Sequence, residues 1–228
     1  MKNTLAALLM AVSVSLFAAS SAQATVIVGS VDGGGCFPFG CNGSGISVGE
    51  SIHYQQIYSS TAFAGPINIG SLTFYNSFSQ YVGNRIGGEY IFHLSTATVS
   101  VGAMSATLAD NIGADNTLFF SGSLGTGSLA FTVVGTPFYY DPALGDLLLD
   151  IVVNNQDDVP NDGNNGYNDA SGPGPTQTSF ALGNTVYTNR GGALVTGFGP
   201  PPAEVPAPAT LALVGLSLAA LARARRKF

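Results

Sequence analysis

Alternation with a period of two residues runs through the middle of this chain, and it constrains the fold more than any other feature. In "EYIFHLS", Tyr90, Phe92 and Leu94 fall on one side and Glu89, Ile91 and His93 on the other. In "SLAFTVV", Leu129, Phe131 and Val133 alternate with Ser128, Ala130 and Thr132. Successive side chains of an extended strand point to opposite faces, so these patterns predict strands with one buried and one wetter side. "INIGSLTFY" alternates at Ile67 and Ile69 and again at Leu72 and Phe74, with the phase slipping by one at Gly70-Ser71. A β-bulge inserts one extra residue in this way. Further strands are expected over Val26 to Val31, Ile52 to Tyr58, Leu118 to Ser121, Leu147 to Val153, Thr185 to Thr188 and Ala193 to Phe198. Glycine and Asn/Asp clusters separate most of them.

"DPALGDLLLDIVV" is the ambiguous stretch, because Leu144, Leu147, Leu148 and Ile151 also suit a helix face. Asp141-Pro142 followed by Gly145 reads as a turn, however, and Ile151-Val152-Val153 favours a strand. The longest irregular piece is "NNQDDVPNDGNNGYNDASGPGPT", Asn154 to Thr176. About nine short strands without a long helix imply an all-β fold, specifically an antiparallel β-sandwich of jelly-roll-like type.

The two ends of the chain follow other rules. Lys2, the apolar run from Leu5 to Ala18 and the small-x-small pattern Ala22-Gln23-Ala24 have the layout of a secretory signal peptide. Cleavage after Ala24 starts the mature chain at Thr25. At the other end, Thr210 to Ala222 is thirteen residues without a charge. As a helix it would measure roughly 20 Å at ~1.5 Å per residue, short of a ~30 Å hydrocarbon core. Pro206 and Pro208 disfavour extending it backward. Arg223, Arg225, Arg226 and Lys227 follow at once, and basic residues beside a span stay cytoplasmic. The expected layout is a signal peptide over 1–24, a β-sandwich domain over 25–203 and a Pro-rich, transmembrane-helical, basic anchor segment over 204–228. A helix packed on the domain is the alternative for the tail.

Charge separates the domain from its flanks. Between residues 25 and 203 the cations are Arg85 and Arg190, against twelve acids, a net charge of −10. Nucleic-acid binding needs clustered Lys and Arg, so it is excluded as a function. With few charges of either sign, Ser, Thr, Asn and Gly must dress the surface. Lysine on edge strands normally blocks pairing with other chains, and this domain has none. Homotypic edge pairing is therefore expected to be open to it.

Motifs for chemistry are sparse. Cys36 and Cys41 lie in "GGGCFPFGCNGSG", and in an exported chain they are expected to form a disulfide across a small loop. A metal pair is the other reading, but two thiols need further ligands. Asp157, Asp158, Asp162, Asn164 and Asp169 supply oxygens suited to Ca²⁺, although no EF-hand spacing is present. A solvated acidic loop is the other, and more ordinary, account of them. His53 and His93 each sit in a strand pattern, where a half-buried strand residue is the ordinary outcome. The spacings H-x-x-x-H and H-E-x-x-H, the motif G-x-S-x-G and a P-loop are absent. Tyr54, Tyr58, Tyr75, Tyr81, Tyr90, Tyr139, Tyr140, Tyr167 and Tyr187 are candidates for a sugar-stacking strip, or for core and rim packing.

The order Val205-Pro206-Ala207-Pro208, short apolar run and arginine cluster resembles the PEP-CTERM sorting signal of Gram-negative bacteria. The usual Pro-Glu-Pro reads Pro206-Ala207-Pro208 here, with Glu204 displaced upstream. The blocks "LTFYNS", "YIFHLST", "DNTLFFSGSL" and "TPFYYDPALGDLLLDI" are similar to those of one group of exported proteins with this signal. The resemblance implies recognition by an exosortase-type processing enzyme, transit through the inner membrane, and a final place there, at the cell surface or in extracellular matrix. The leading expectation is a non-enzymatic, envelope-tethered protein acting by binding or self-association. A second is a carbohydrate-binding module for exopolysaccharide, with Ca²⁺ as a candidate aid and otherwise no cofactor. A third is a secreted hydrolase.

Overall fold

The computed structural model describes residues 23–40, 51–77, 85–155, 168–172, 174–182, 185–190 and 192–202. Thirteen strands form among them: β1 (Val26–Val28), β2 (Gly33–Gly35), β3 (Ile52–Tyr58), β4 (Ile67–Phe74), β5 (Glu89–Thr96), β6 (Thr117–Ser123), β7 (Phe131–Tyr140), β8 (Leu147–Asn154), β9 (Asn168–Ser171), β10 (Thr176–Leu182), β11 (Thr185–Arg190), β12 (Ala193–Leu194) and β13 (Thr196–Gly199). Two short 3₁₀ turns, Ser60–Ala62 and Leu108–Asn111, are the helical content of the described residues.

The strands pair antiparallel in three sheets. A six-stranded sheet runs β11-β10-β3-β8-β5-β6, a four-stranded sheet runs β1-β13-β4-β7, and a small one runs β12-β9-β2. The two large sheets pack face to face in a sandwich-like arrangement. One core joins Tyr54, Tyr58, Phe92, Leu94 and Ile151 of the first with Ile69, Leu72, Phe74, Val133 and Phe198 of the second. The rings of Tyr58 and Phe198 meet edge to face across the gap, with centroids 4.9 Å apart. Phe39, fully buried, lies between Phe74, Tyr90, Phe92 and Phe131 and fills the other end.

The alternation works as expected in β5, where Tyr90, Phe92 and Leu94 are fully buried. Leu129 and Val133 go inward as well, while Thr132 is exposed. In β4 the register against β7 shifts between Ile69 and Ser71, so the bulge read from the sequence is present. Residues 141–146 form a turn and β8 follows.

Three expectations are corrected. The strand foreseen over Val26 to Val31 stops at Val28. The strand foreseen over Ala193 to Phe198 divides at Val195, giving β12 to the small sheet and β13 to the four-stranded one. The stretch from Asn154 to Thr176 is not wholly irregular, because it contains β9, whose four residues are all buried. Asn and Asp disfavour strands by themselves, and β9 exists because β2 and β12 pair with both its edges. β10, which no alternation announced, buries Thr176 and Thr178 on one face and Ser179 on the other, while Phe180 and Ala181 are half-buried.

Candidate functional site

Two places concentrate features that packing alone does not require. The first is the outer face of the six-stranded sheet. Residues 97–112 leave β5 and fold back over half of this face, where Ala97, Val99, Val101, Met104 and Ile112 pack on Ile57 and Leu148. Gln55, fully buried beneath them, donates from Nε2 to the Leu108 carbonyl at 3.0 Å and accepts from Asn111 Nδ2 at 2.9 Å. The other half carries His53, Asp150 and His93.

Directly opposed residues of paired strands share a face. His93 stands opposite Asp150 in the β5–β8 register, and His53 stands one pair along in the β3–β8 register. His53 Nε2 lies 2.6 Å from Asp150 Oδ1, with the histidine side chain 32% exposed and the carboxylate 7%. Both histidines are thus half-buried strand residues, as their strand pattern indicated. The contact of His53 with Asp150 was missed, and the available signal was a single acid inside the apolar run of β8. A nucleophilic triad would need a hydroxyl at the other ring nitrogen of His53. Ser51, two residues before it, instead donates to Asn154 Oδ1 at 3.0 Å. Among the described residues no three His, Cys, Asp or Glu side chains are grouped to hold a metal ion.

Several acids elsewhere among the described residues hold backbone amides. Asp146 accepts from the backbone N–H of Ser60 through Oδ1 (2.8 Å) and of Val101 through Oδ2 (2.9 Å). Asp115 takes the Thr96 N–H at 2.8 Å and its hydroxyl at 2.7 Å. Asp32 accepts from Gly172 N–H at 3.1 Å. In a domain with two arginines, loop amides replace side-chain cations as partners for carboxylates. Of the Ca²⁺ candidates, Asp169 is in β9, 2% exposed, and accepts from Ser77 N–H at 2.7 Å. Asp157, Asp158, Asp162 and Asn164 lie outside the described residues, as does Cys41, the expected partner of Cys36. Arg85 is 9% exposed and donates to the carbonyls of Leu124, Gly125 and Ser128. Its guanidinium lies 4.3 Å over the Phe131 ring, and burial pulls its pKa below the ordinary arginine value. This cation is spent inside the fold.

Tyr54, Tyr58, Tyr90 and Tyr140 are core residues, which removes them from any sugar-stacking strip. Tyr139 is 66% exposed. Tyr81 and Tyr167 lie outside the described residues.

The second place is where the chain leaves the domain. β13 ends at Gly199, and Pro201 then presses on the bulge of β4, where a Cβ built on Gly70 would lie 2.2 Å from Pro201 Cα. Two residues away, Asn68 exchanges backbone hydrogen bonds with the Gln23 side chain (3.1 and 3.4 Å). The position expected for signal cleavage, between Ala24 and Thr25, therefore adjoins the exit toward residue 203. Ala22, and the sorting residues Val205, Pro206, Ala207, Pro208, Arg223, Arg225 and Arg226, lie outside the described residues, together with the anticipated membrane helix. Among the described residues no helix is long and apolar enough to cross a membrane.

Residues 204–227 match the family model of the PEP-CTERM protein-sorting motif. No curated protein and no solved structure matches the chain.

Proposed function

We propose that the protein is exported across the inner membrane, is held to the envelope by residues 204–228, and works at the cell surface or in extracellular matrix by binding or self-association, without catalysis. The observation that carries this reading is the sorting motif at 204–227, which begins two residues after the described β-domain ends. Such a motif is handled by an exosortase-type enzyme, and the basic residues behind the apolar run hold the tail's end on the cytoplasmic side. The domain suits an oxidising compartment, where Cys36 and Cys41 would close a small loop. With two arginines against twelve acids, and Arg85 buried against carbonyls, the domain has no cluster of cations to attract polyanions.

Mass spectrometry of the native protein from membrane and culture-medium fractions tests this reading. The expected N-terminus is Thr25, with residues 204–228 intact in the membrane fraction or trimmed from protein in the medium. Full-length chain retaining Met1, recovered from cytosol alone, would overturn it.

A further inference from the structure

The strand directions give the sandwich two poles. β3 and β7 end, and β4 and β8 begin, at the pole where the chain exits, as the pairs Tyr58 with Leu147 and Ile67 with Tyr140 show. Tyr58 and Phe63 touch Phe198 there, so the same pole of both sheets is meant. The two most exposed large apolar side chains of the described residues are at this pole: Leu144 at 74% and Tyr139 at 66%. Tyr139 stands directly opposite Asn68, two residues from the glycine under Pro201. Leu144 closes the turn after β7, donating its N–H to the Asp141 carbonyl at 3.0 Å. The tip of that turn is Pro142-Ala143-Leu144. Its flanking acids are half-buried and bonded to backbone amides, Asp141 to the Ala143 N–H and Asp146 to those of Ser60 and Val101.

We propose that this pole is a lipid-contacting surface, with Leu144 and Tyr139 seated at the outer interface of the membrane that holds the tail. The proposal rests on the tethered reading above. Seven residues separate Pro202 from Thr210, where the apolar run begins, which makes eight Cα-to-Cα steps. Fully extended they reach ~28 Å at ~3.5 Å each. A domain of this size is ~40 Å across, from a radius of gyration of ~16 Å. The tether is shorter than the domain, so the exit pole stays nearest the bilayer. A short tether also supplies an effective concentration on the order of millimolar, which lets two side chains suffice where a free domain would need a larger patch. Tyrosine is suited to the headgroup level and leucine to the acyl boundary.

The chain contains no tryptophan, so a single substitution makes a clean fluorescent probe. Full-length Leu144→Trp, Tyr139→Trp and, at the opposite pole in the turn between β6 and β7, Thr126→Trp would each be reconstituted with phosphatidylcholine vesicles containing brominated lipid. All three positions are exposed, so the fold is spared. Quenching at least twofold stronger for Leu144→Trp and Tyr139→Trp than for Thr126→Trp is expected, together with a blue shift. Adding Leu144→Asp to Tyr139→Trp should reduce that quenching. Co-flotation with equal or no quenching overturns the pole assignment and leaves the tether standing. Failure to co-float overturns both. A blue shift that follows protein concentration without lipid assigns the tip to a second copy of the chain and overturns the lipid contact.

Discussion

Gly70 answers to two neighbours at once. As the extra residue of the β4 bulge it keeps Ile69 and Leu72 both pointing inward, and it also lets Pro201 lie on the strand. A Cβ there would meet Pro201 Cα at 2.2 Å and its nitrogen at 2.4 Å, and both are backbone atoms. Gly70→Ala is therefore expected to destabilise by about 1–3 kcal/mol, the usual range for overpacking, read as a lower urea midpoint. An unchanged midpoint would mean that Pro201 moves aside without cost. Buried polar residues show a comparable economy. Gln56 accepts from Leu194 N–H (2.9 Å) and donates to the Leu194 carbonyl (2.8 Å), while Tyr54 donates to the same Gln56 oxygen (2.6 Å). One side chain so satisfies both backbone groups of Leu194, the second residue of β12.

At the scale of elements, the two sides of the sandwich differ. On one side β6 and β7 close against each other, with Gly135 so near the Phe119 carbonyl that a Cβ would lie 2.3 Å from it. Pro137 further spoils β7 as a template for another strand. On the other side the sheets end in β1, three residues long, and β11, six residues long. From Thr185 to Asn189 β11 carries no charge, and Val186 is 43% exposed. Self-association, if it is the working mode, should use this edge. Light scattering on detergent-solubilised full chain should show mass rising with concentration, and Val186→Lys should restore a monomer. A wild-type chain that stays monomeric at high concentration removes edge pairing from the proposed function.

For the molecule as a whole, folding acts on titration mainly, among the described residues, through four buried phenols. Burial raises the pKa of Tyr54, Tyr58 and Tyr90 above the ordinary value, and in Tyr140 burial is joined by the charges of Asp146 and Asp141. An unfolded tyrosine ionises near pH ~10. Stability is thus complete below that pH and is lost as pH rises through it, because the unfolded chain releases protons that the folded one retains. Each fully buried phenol contributes up to ~1.4 kcal/mol per pH unit. The urea midpoint should fall steeply between pH 9 and pH 11, and a flat profile would show that these phenols are not held neutral. Period-two alternation made β4, β5 and β7 legible, and a one-residue phase slip announced the bulge, because one-sided burial writes itself into residue order; β8 was legible from the turn before it and its β-branched residues. The sorting tail was equally legible, since apolar length, proline and charge act locally there. β9 and β10 were not legible, and neither was the His53–Asp150 contact. A strand covered on both faces carries no alternation, and a carboxylate finds its histidine 97 residues away only when β3 and β8 pair. Sequence by itself determined the strands buried on one side and the sorting motif at one end; tertiary structure decided which strands became neighbours, which further segments were drawn into strands between them, and so which polar groups met and which apolar ones were left outside.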